Sequence, residues 1–340
     1  MKNIFDYKKS DLEQYLLECG EKKFKALQIF EWLYIKKIKS FSKMTNIKKE
    51  LQESLAKNIT FDFIEIVRKQ EDKLVKKYLF KLADNNFVEA VLMEHDYGLS
   101  LCVSSQVGCN MACSFCESGR QKKIRNLETY EMVEQILLIE EDIKARISSV
   151  VIMGIGEPFD NYDNVMDFIY IINDAKGLAI GARHITISTC GIIPKIEEFM
   201  EVPLQVNLAI SLHAATDNLR SKLMPINKVY SLSKLISIIK SYIDKTNRRV
   251  TLEYVMLENI NDSEEDARVL ANLIRGMNVY VNLIPYNETS HIEFKKSNKD
   301  RTLKFYNSLK LNKINVTIRR EFGTNIDAAC GQLRSKEVGK

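Results

Sequence analysis

Three thiols fall within the eight residues Cys109-Asn-Met-Ala-Cys113-Ser-Phe-Cys116. At that spacing they can wrap one small cationic inorganic group. A structural zinc ion needs four protein ligands. No fourth Cys or His follows closely, the next being His184. Three ligands and one open position suit an iron–sulfur cluster with a free iron for another molecule. Zinc remains the competing reading. The chain has seven cysteines, an odd number, and its N-terminus carries acids and no apolar stretch suited to a secretory signal. A disulfide framework is therefore not expected, and the protein reads as cytoplasmic.

The elements that must position these thiols follow from periodicity. Strands are expected at 100–105, 149–153, 185–189, 205–211, 250–256 and 279–284. Helices are expected between them at 129–143, 162–175, 193–200, 231–246 and 263–276, then a helix at 299–311 and a strand at 315–318. β-Branched strands alternating with helices predict an α/β fold with a parallel sheet covered on both faces. Six such units suit a partial (β/α)6 barrel better than a closed eight-unit one. The thiols follow the first strand, at the end where barrels carry chemistry. Residues 1–57 read as a small helical accessory domain, opened by a capping box at Ser10-Asp11-Leu12-Glu13. Residues 58–99 read as a short-strand linker region, 100–313 as the barrel, and 314–340 as a strand and tail.

Of the 340 residues, 45% are hydrophobic and 28% charged, ordinary for a folded domain and unlike a disordered chain. No apolar run reaches the ~18 residues of a membrane span. The net charge is +5, and residues 1–79 hold 18 basic against 12 acidic side chains. Lys22, Lys23, Lys25, Lys36, Lys37, Lys39, Lys43, Lys48 and Lys49 concentrate on the helical unit, with Lys122, Lys123 and Arg125 beside the thiols. Lysines so arranged suit phosphate contacts with RNA. A zinc-stabilised RNA-binding protein without catalysis is the alternative from another class.

The CxxxCxxC spacing, with Phe115 before its last Cys, resembles the signature of radical S-adenosylmethionine (SAM) enzymes. Gly154-Ile-Gly156-Glu157-Pro158 resembles the element that holds the SAM amino group there. Together with Leu101-Cys-Val-Ser-Ser-Gln-Val-Gly-Cys109, Ile187-Ser-Thr-Cys-Gly191, Ser211-Leu-His213, Leu223-Met-Pro-Ile-Asn227, Asn282-Leu-Ile-Pro-Tyr-Asn287 and Asn325-Ile-Asp-Ala-Ala-Cys-Gly-Gln-Leu333, the pattern resembles the RlmN/Cfr family of radical-SAM ribosomal RNA adenine methyltransferases. The resemblance runs over 101–333, and the N-terminal unit matches that family's accessory domain in size and place.

That resemblance implies a [4Fe-4S] cluster on Cys109, Cys113 and Cys116, with SAM contacted by Gly156, Glu157, Ser188, Ser211, Leu212, His213 and Asn287. It implies a methyl-carrying Cys330, a resolving Cys102 that forms a transient disulfide with it, and Glu89 as proton acceptor. An electron donor such as flavodoxin or ferredoxin is implied too. Cys19 and Cys190 match no family role and read as packing residues. The loop after Cys116, Glu-Ser-Gly-Arg-Gln-Lys-Lys, departs from the family pattern. The expected product is adenine 2503 of 23S rRNA methylated at C2. C8 of the same adenine, or C2 of a tRNA adenine, are the alternatives.

Overall fold

The computed structural model describes residues 1–289 and 291–320. The N-terminal unit holds α1 (Lys9–Glu18), α2 (Phe24–Phe30), which runs on into a π-helical segment Glu31–Ile35, and α3 (Lys49–Asn58). Leu12, Leu16, Ile29, Phe30, Leu51 and Leu55 are all buried, the apolar stripes that make three short helices worth folding. The capping box at Ser10 does not form. α1 starts two residues earlier, after Lys8, without a side-chain cap, and Ser10 Oγ donates to Asp11 instead. The unit is packed onto the rest of the chain. Asp6 accepts the Tyr130 amide hydrogen at 2.7 Å, and Lys9–Asp174 and Lys37–Glu140 pair at 2.9 and 2.8 Å.

The strands β1 (Glu65–Asp72), β2 (Val75–Lys81), β3 (Phe87–His95) and β4 (Gly98–Val103) form an antiparallel meander. The segment 58–99, expected as a linker region, is thus built into the main sheet. β2 is buried along most of its length, which a solvated connection would not be. After β4 come the short strands β5 (Gln106–Val107) and β6 (Arg125–Asn126), then α4 (Thr129–Ile143), β7 (Ser149–Ile152), α5 (Tyr162–Asn173), β8 (Ile185–Thr189), α6 (Ile193–Phe199) and β9 (Asn207–Ser211). The remainder is α7 (Asp217–Leu223), α8 (Leu232–Thr246), β10 (Val250–Met256), α9 (Glu264–Leu273), β11 (Val279–Pro285), α10 (Lys299–Leu311) and β12 (Val316–Ile318).

One ten-stranded sheet has the order β1-β2-β3-β4-β7-β8-β9-β10-β11-β12. Pairing is parallel from β4 to β12, so the expected α/β partial barrel is present, with β12 added after the sixth unit. The sheet curls on itself. Arg319, just past β12, reaches the Met93 sulfur on β3 and the Met153 sulfur after β7, each at 3.8 Å. Periodicity does not predict the helix α7. It is seven residues long, polar, and capped by Thr216, too short to show a helical period.

Candidate active site

The thiol loop is a closed hairpin. β5 and β6 pair at its base, Gln106 with Asn126 and Val107 with Arg125. The Cys109 amide donates to the Gln121 carbonyl at 2.9 Å, and that of Cys116 to the Cys113 carbonyl at 3.1 Å. Ser114 N–H donates to Leu223 O at 2.9 Å, tying the loop to α7. The Phe115 ring meets the His213 ring edge to face, centroids 4.8 Å apart.

A cavity of about 330 Å³ opens at the C-terminal ends of the parallel strands. Cys109, Cys113, Cys116, Cys102, Gly156, Glu157, Ser188, Ser211, His213 and Asn287 all line it. Leu212 does not: its side chain is fully buried in the hydrophobic core. Glu89 lies on β3, two residues before the cavity-lining Val91. Cys330 lies outside the described residues. Cys102 is buried opposite Val91, packed with Val75 and Met93.

The motif residues hold one another. Ser104 Oγ donates to the Glu89 carbonyl at 2.6 Å and accepts from the Ile155 amide at 3.0 Å. Gln106 Oε1 accepts from Glu157 N–H at 2.9 Å. Gly156 has φ +114, and a Cβ there would lie 2.7 Å from Gln106 Cβ. A Cβ on Gly154 would lie 2.6 Å from the Val103 carbonyl oxygen. Both glycines are therefore required by close approach of two backbones. The Glu157 carboxylate accepts from the amides of Phe159 and Cys190 at 3.0 and 2.8 Å. Burial raises its pKa, and these hydrogen bonds, with one from Thr189, oppose the rise. His213 Nδ1 accepts from the Val255 amide at 3.1 Å. Burial pushes its pKa down to about 3, so the imidazole is neutral.

Several contributors carry no local signal. Arg220 on α7 is buried, donating to Asn227 Oδ1 at 2.9 Å and to the Cys190 carbonyl at 2.7 Å. Leu223–Asn227 thereby seats an arginine that clamps the loop after β8. Cys190 packs in a buried apolar cluster with Ala214, Leu223 and Met224, and it also borders the cavity. Glu253, also lining it, accepts from Asn282 at 2.8 Å. Lys77, wholly buried, stands 2.9 Å from Glu89.

The donor set fits a thiolate-held cluster with SAM beside it. Burial pushes the Cys109 thiol up to about 12 and lifts the Cys113 thiol well above the usual thiol range, so bare thiolates are disfavoured until a cation binds them. Ser188 Oγ is buried in the cavity wall without a hydrogen-bond partner among the described residues, as a ligand-facing hydroxyl would be. Among the described residues, no three His, Cys, Asp or Glu gather as a site for a lone metal ion.

Known proteins agree in sequence and shape. Residues 103–271 match the Radical SAM superfamily, and residues 2–61 the ribosomal RNA large subunit methyltransferase N-terminal domain. A probable dual-specificity RNA methyltransferase RlmN of Spiroplasma citri is 53% identical over 343 residues, covering 100% of this chain and 99% of its own. Its Enterococcus faecalis (strain ATCC 700802 / V583) counterpart is 52% identical over 348 residues, covering 99% and 97%. The crystal structure of a radical SAM methyltransferase from Sphaerobacter thermophilus superposes with a TM-score of 0.92 at 37% identity, covering 98% of this chain and 99% of that one.

Proposed function

Because this chain belongs to the RlmN family of radical SAM RNA methyltransferases, we propose that it methylates C2 of adenine 2503 in 23S rRNA. It is an RNA methyltransferase that uses a [4Fe-4S] cluster on three cysteines and SAM. The dual specificity in the names of its relatives supports a second substrate of the same chemistry, a tRNA adenine. Their identity as RlmN proteins favours C2 over C8.

C2 of adenine is an electron-poor amidine carbon, so simple methyl transfer to it is unfavourable. When bound, the cluster and SAM supply a 5′-deoxyadenosyl radical, able to take hydrogen from an unactivated C–H bond. The chain's own residues do the rest. Cys109, Cys113 and Cys116 hold the cluster. Glu157, locked by two amides, takes the SAM amino group, with Gly156, Ser188, Ser211, Leu212 through its backbone, His213 and Asn287 around the cofactor. Cys330 carries the methyl carbon that joins the base. Cys102 attacks the Cys330 sulfur, releasing the methylated base and leaving a disulfide. Glu89 accepts the ring proton. Lysines of residues 1–57 hold RNA phosphates, and a flavodoxin or ferredoxin supplies electrons.

The observation that carries this reading is the convergence of Cys102, the three motif thiols and Glu157 on one cavity. Two variants test it. Cys330→Ala should neither methylate RNA nor retain it. Cys102→Ala should stall after the carbon joins the base and purify with RNA attached, seen as nuclease-sensitive absorbance at 260 nm. An active, RNA-free Cys102→Ala enzyme would overturn the assignment.

A further inference from the structure

Lys77 has no exposed surface, and its Nζ lies 2.9 Å from Glu89 Oε2, itself 3% exposed. Lysines are almost never wholly buried unless paired. Taking an ammonium out of water is costly, and a burial of this kind persists when a second charge and good geometry offset it. The strand register places the pair. Lys77 lies opposite Val91, and Glu89 opposite Leu79, so the two side chains meet on the diagonal of one sheet face. On that face Val75 and Val91 already line the cavity. Ser104 Oγ holds the Glu89 carbonyl at 2.6 Å, so backbone and side chain of this residue are both anchored.

We infer that Lys77 is a positioning residue for the reaction: it sets the orientation of the Glu89 carboxylate and compensates its charge while that carboxylate accepts the proton of the adenine ring. The inference rests on the reading of Glu89 as the proton acceptor. In the step concerned, the C–H bond of the ring carbon breaks, its electron pair stays on the base, and the proton ends on a carboxylate oxygen. A base must be ionised to do this, and a buried anion needs a fixed counter-charge more than an exposed one does. Lys77 supplies that charge from β2, away from the cofactor residues on β7 to β11. Its loss should therefore affect the fate of the base adduct more than the cleavage of SAM.

The test uses the full-length, cluster-reconstituted enzyme with SAM, a reductant and a transcribed 23S rRNA segment. Lys77→Met, Lys77→Arg and Glu89→Gln are compared with the unaltered protein. The readouts are methylated adenosine per 5′-deoxyadenosine formed, and RNA that stays with the denatured protein until nuclease treatment. Lys77→Met should lower the ratio at least about tenfold and retain RNA, as Glu89→Gln should. Lys77→Arg, which keeps the charge, should recover most of the ratio. A merely structural lysine would lower product and 5′-deoxyadenosine together. If Lys77→Met does not fold, Lys77→Gln, which keeps a donor without the charge, carries the same test. A normal ratio and no retained RNA in the lysine variant, with trapping in Glu89→Gln, overturns the role of Lys77 alone. Normal turnover by Glu89→Gln overturns the proton-acceptor reading and the role of Lys77 with it.

Discussion

The carboxylate of Glu157 accepts the amide hydrogen of Cys190 at 2.8 Å, across 33 residues of sequence. A second amide, from Phe159, holds its other oxygen at 3.0 Å. The side chain is therefore oriented before any ligand arrives, and binding need not freeze its rotamers. Glu157→Ala removes the charge and both anchors. SAM affinity of the reconstituted protein should fall roughly 10- to 100-fold, the scale of one charge-assisted hydrogen bond. Equilibrium binding measures it, and an unchanged affinity would mean that Glu157 is structural only.

Gly156→Ala should be as harmful to binding and worse for folding. The residue sits at φ +114 with Gln106 where a Cβ would go, and a non-glycine residue there costs about 1–3 kcal/mol in backbone strain alone. A fall in thermal midpoint of several degrees, with weaker SAM binding, is expected. A variant with wild-type melting and affinity would show that the loop relaxes freely.

Replacing any one of Cys109, Cys113 or Cys116 by Ala should abolish cluster assembly, since two thiolates do not retain a four-iron cluster with an open iron. Iron content and the thiolate-to-iron absorbance of the reconstituted protein check this. One variant with full iron would remove that cysteine from the ligand set.

His213 makes stability depend on acid. Its pKa lies near 3 in the folded protein against about 6.5 for an unfolded chain. The unfolded state therefore binds the proton first, and stability is present above pH 6.5 and falls as pH drops toward 3. Between pH 7.5 and 5 this amounts to about 2 kcal/mol. His213→Asn, which tolerates the left-handed backbone of that position (φ 56), should show a correspondingly flatter loss in urea titrations. Parallel pH profiles for both proteins would exclude the effect.

Lys22, Lys23, Lys43 and Lys48 are exposed, whereas Lys37 and Lys39 pair with Glu140 and Glu141. Changing the four exposed lysines to Ala should weaken RNA binding and lower its log-log salt slope by roughly one for each phosphate no longer neutralised, while SAM binding is kept. Deleting residues 1–57 is a poorer test, because that unit shares the barrel's core. An unchanged slope would place the RNA elsewhere.

Much of this site was legible along the chain because its parts are local. Cys109, Cys113 and Cys116 share one loop, and Gly154, Gly156 and Glu157 follow one strand. β-Branched runs alternating with helices give the barrel, whose strand ends bring those loops to one rim. What only tertiary structure decided are pairings between distant segments. Nothing near Lys77 says that it is buried against Glu89, because that depends on the register of β2 on β3. Arg220 looks like a surface residue of a polar stretch until α7 folds it onto Cys190 and Asn227. Arg319 meets Met93 and Met153 only because the sheet curls. Spacing records which residues can act together within a loop. Register and curvature, set by packing of the whole core, determine which loops and strands meet.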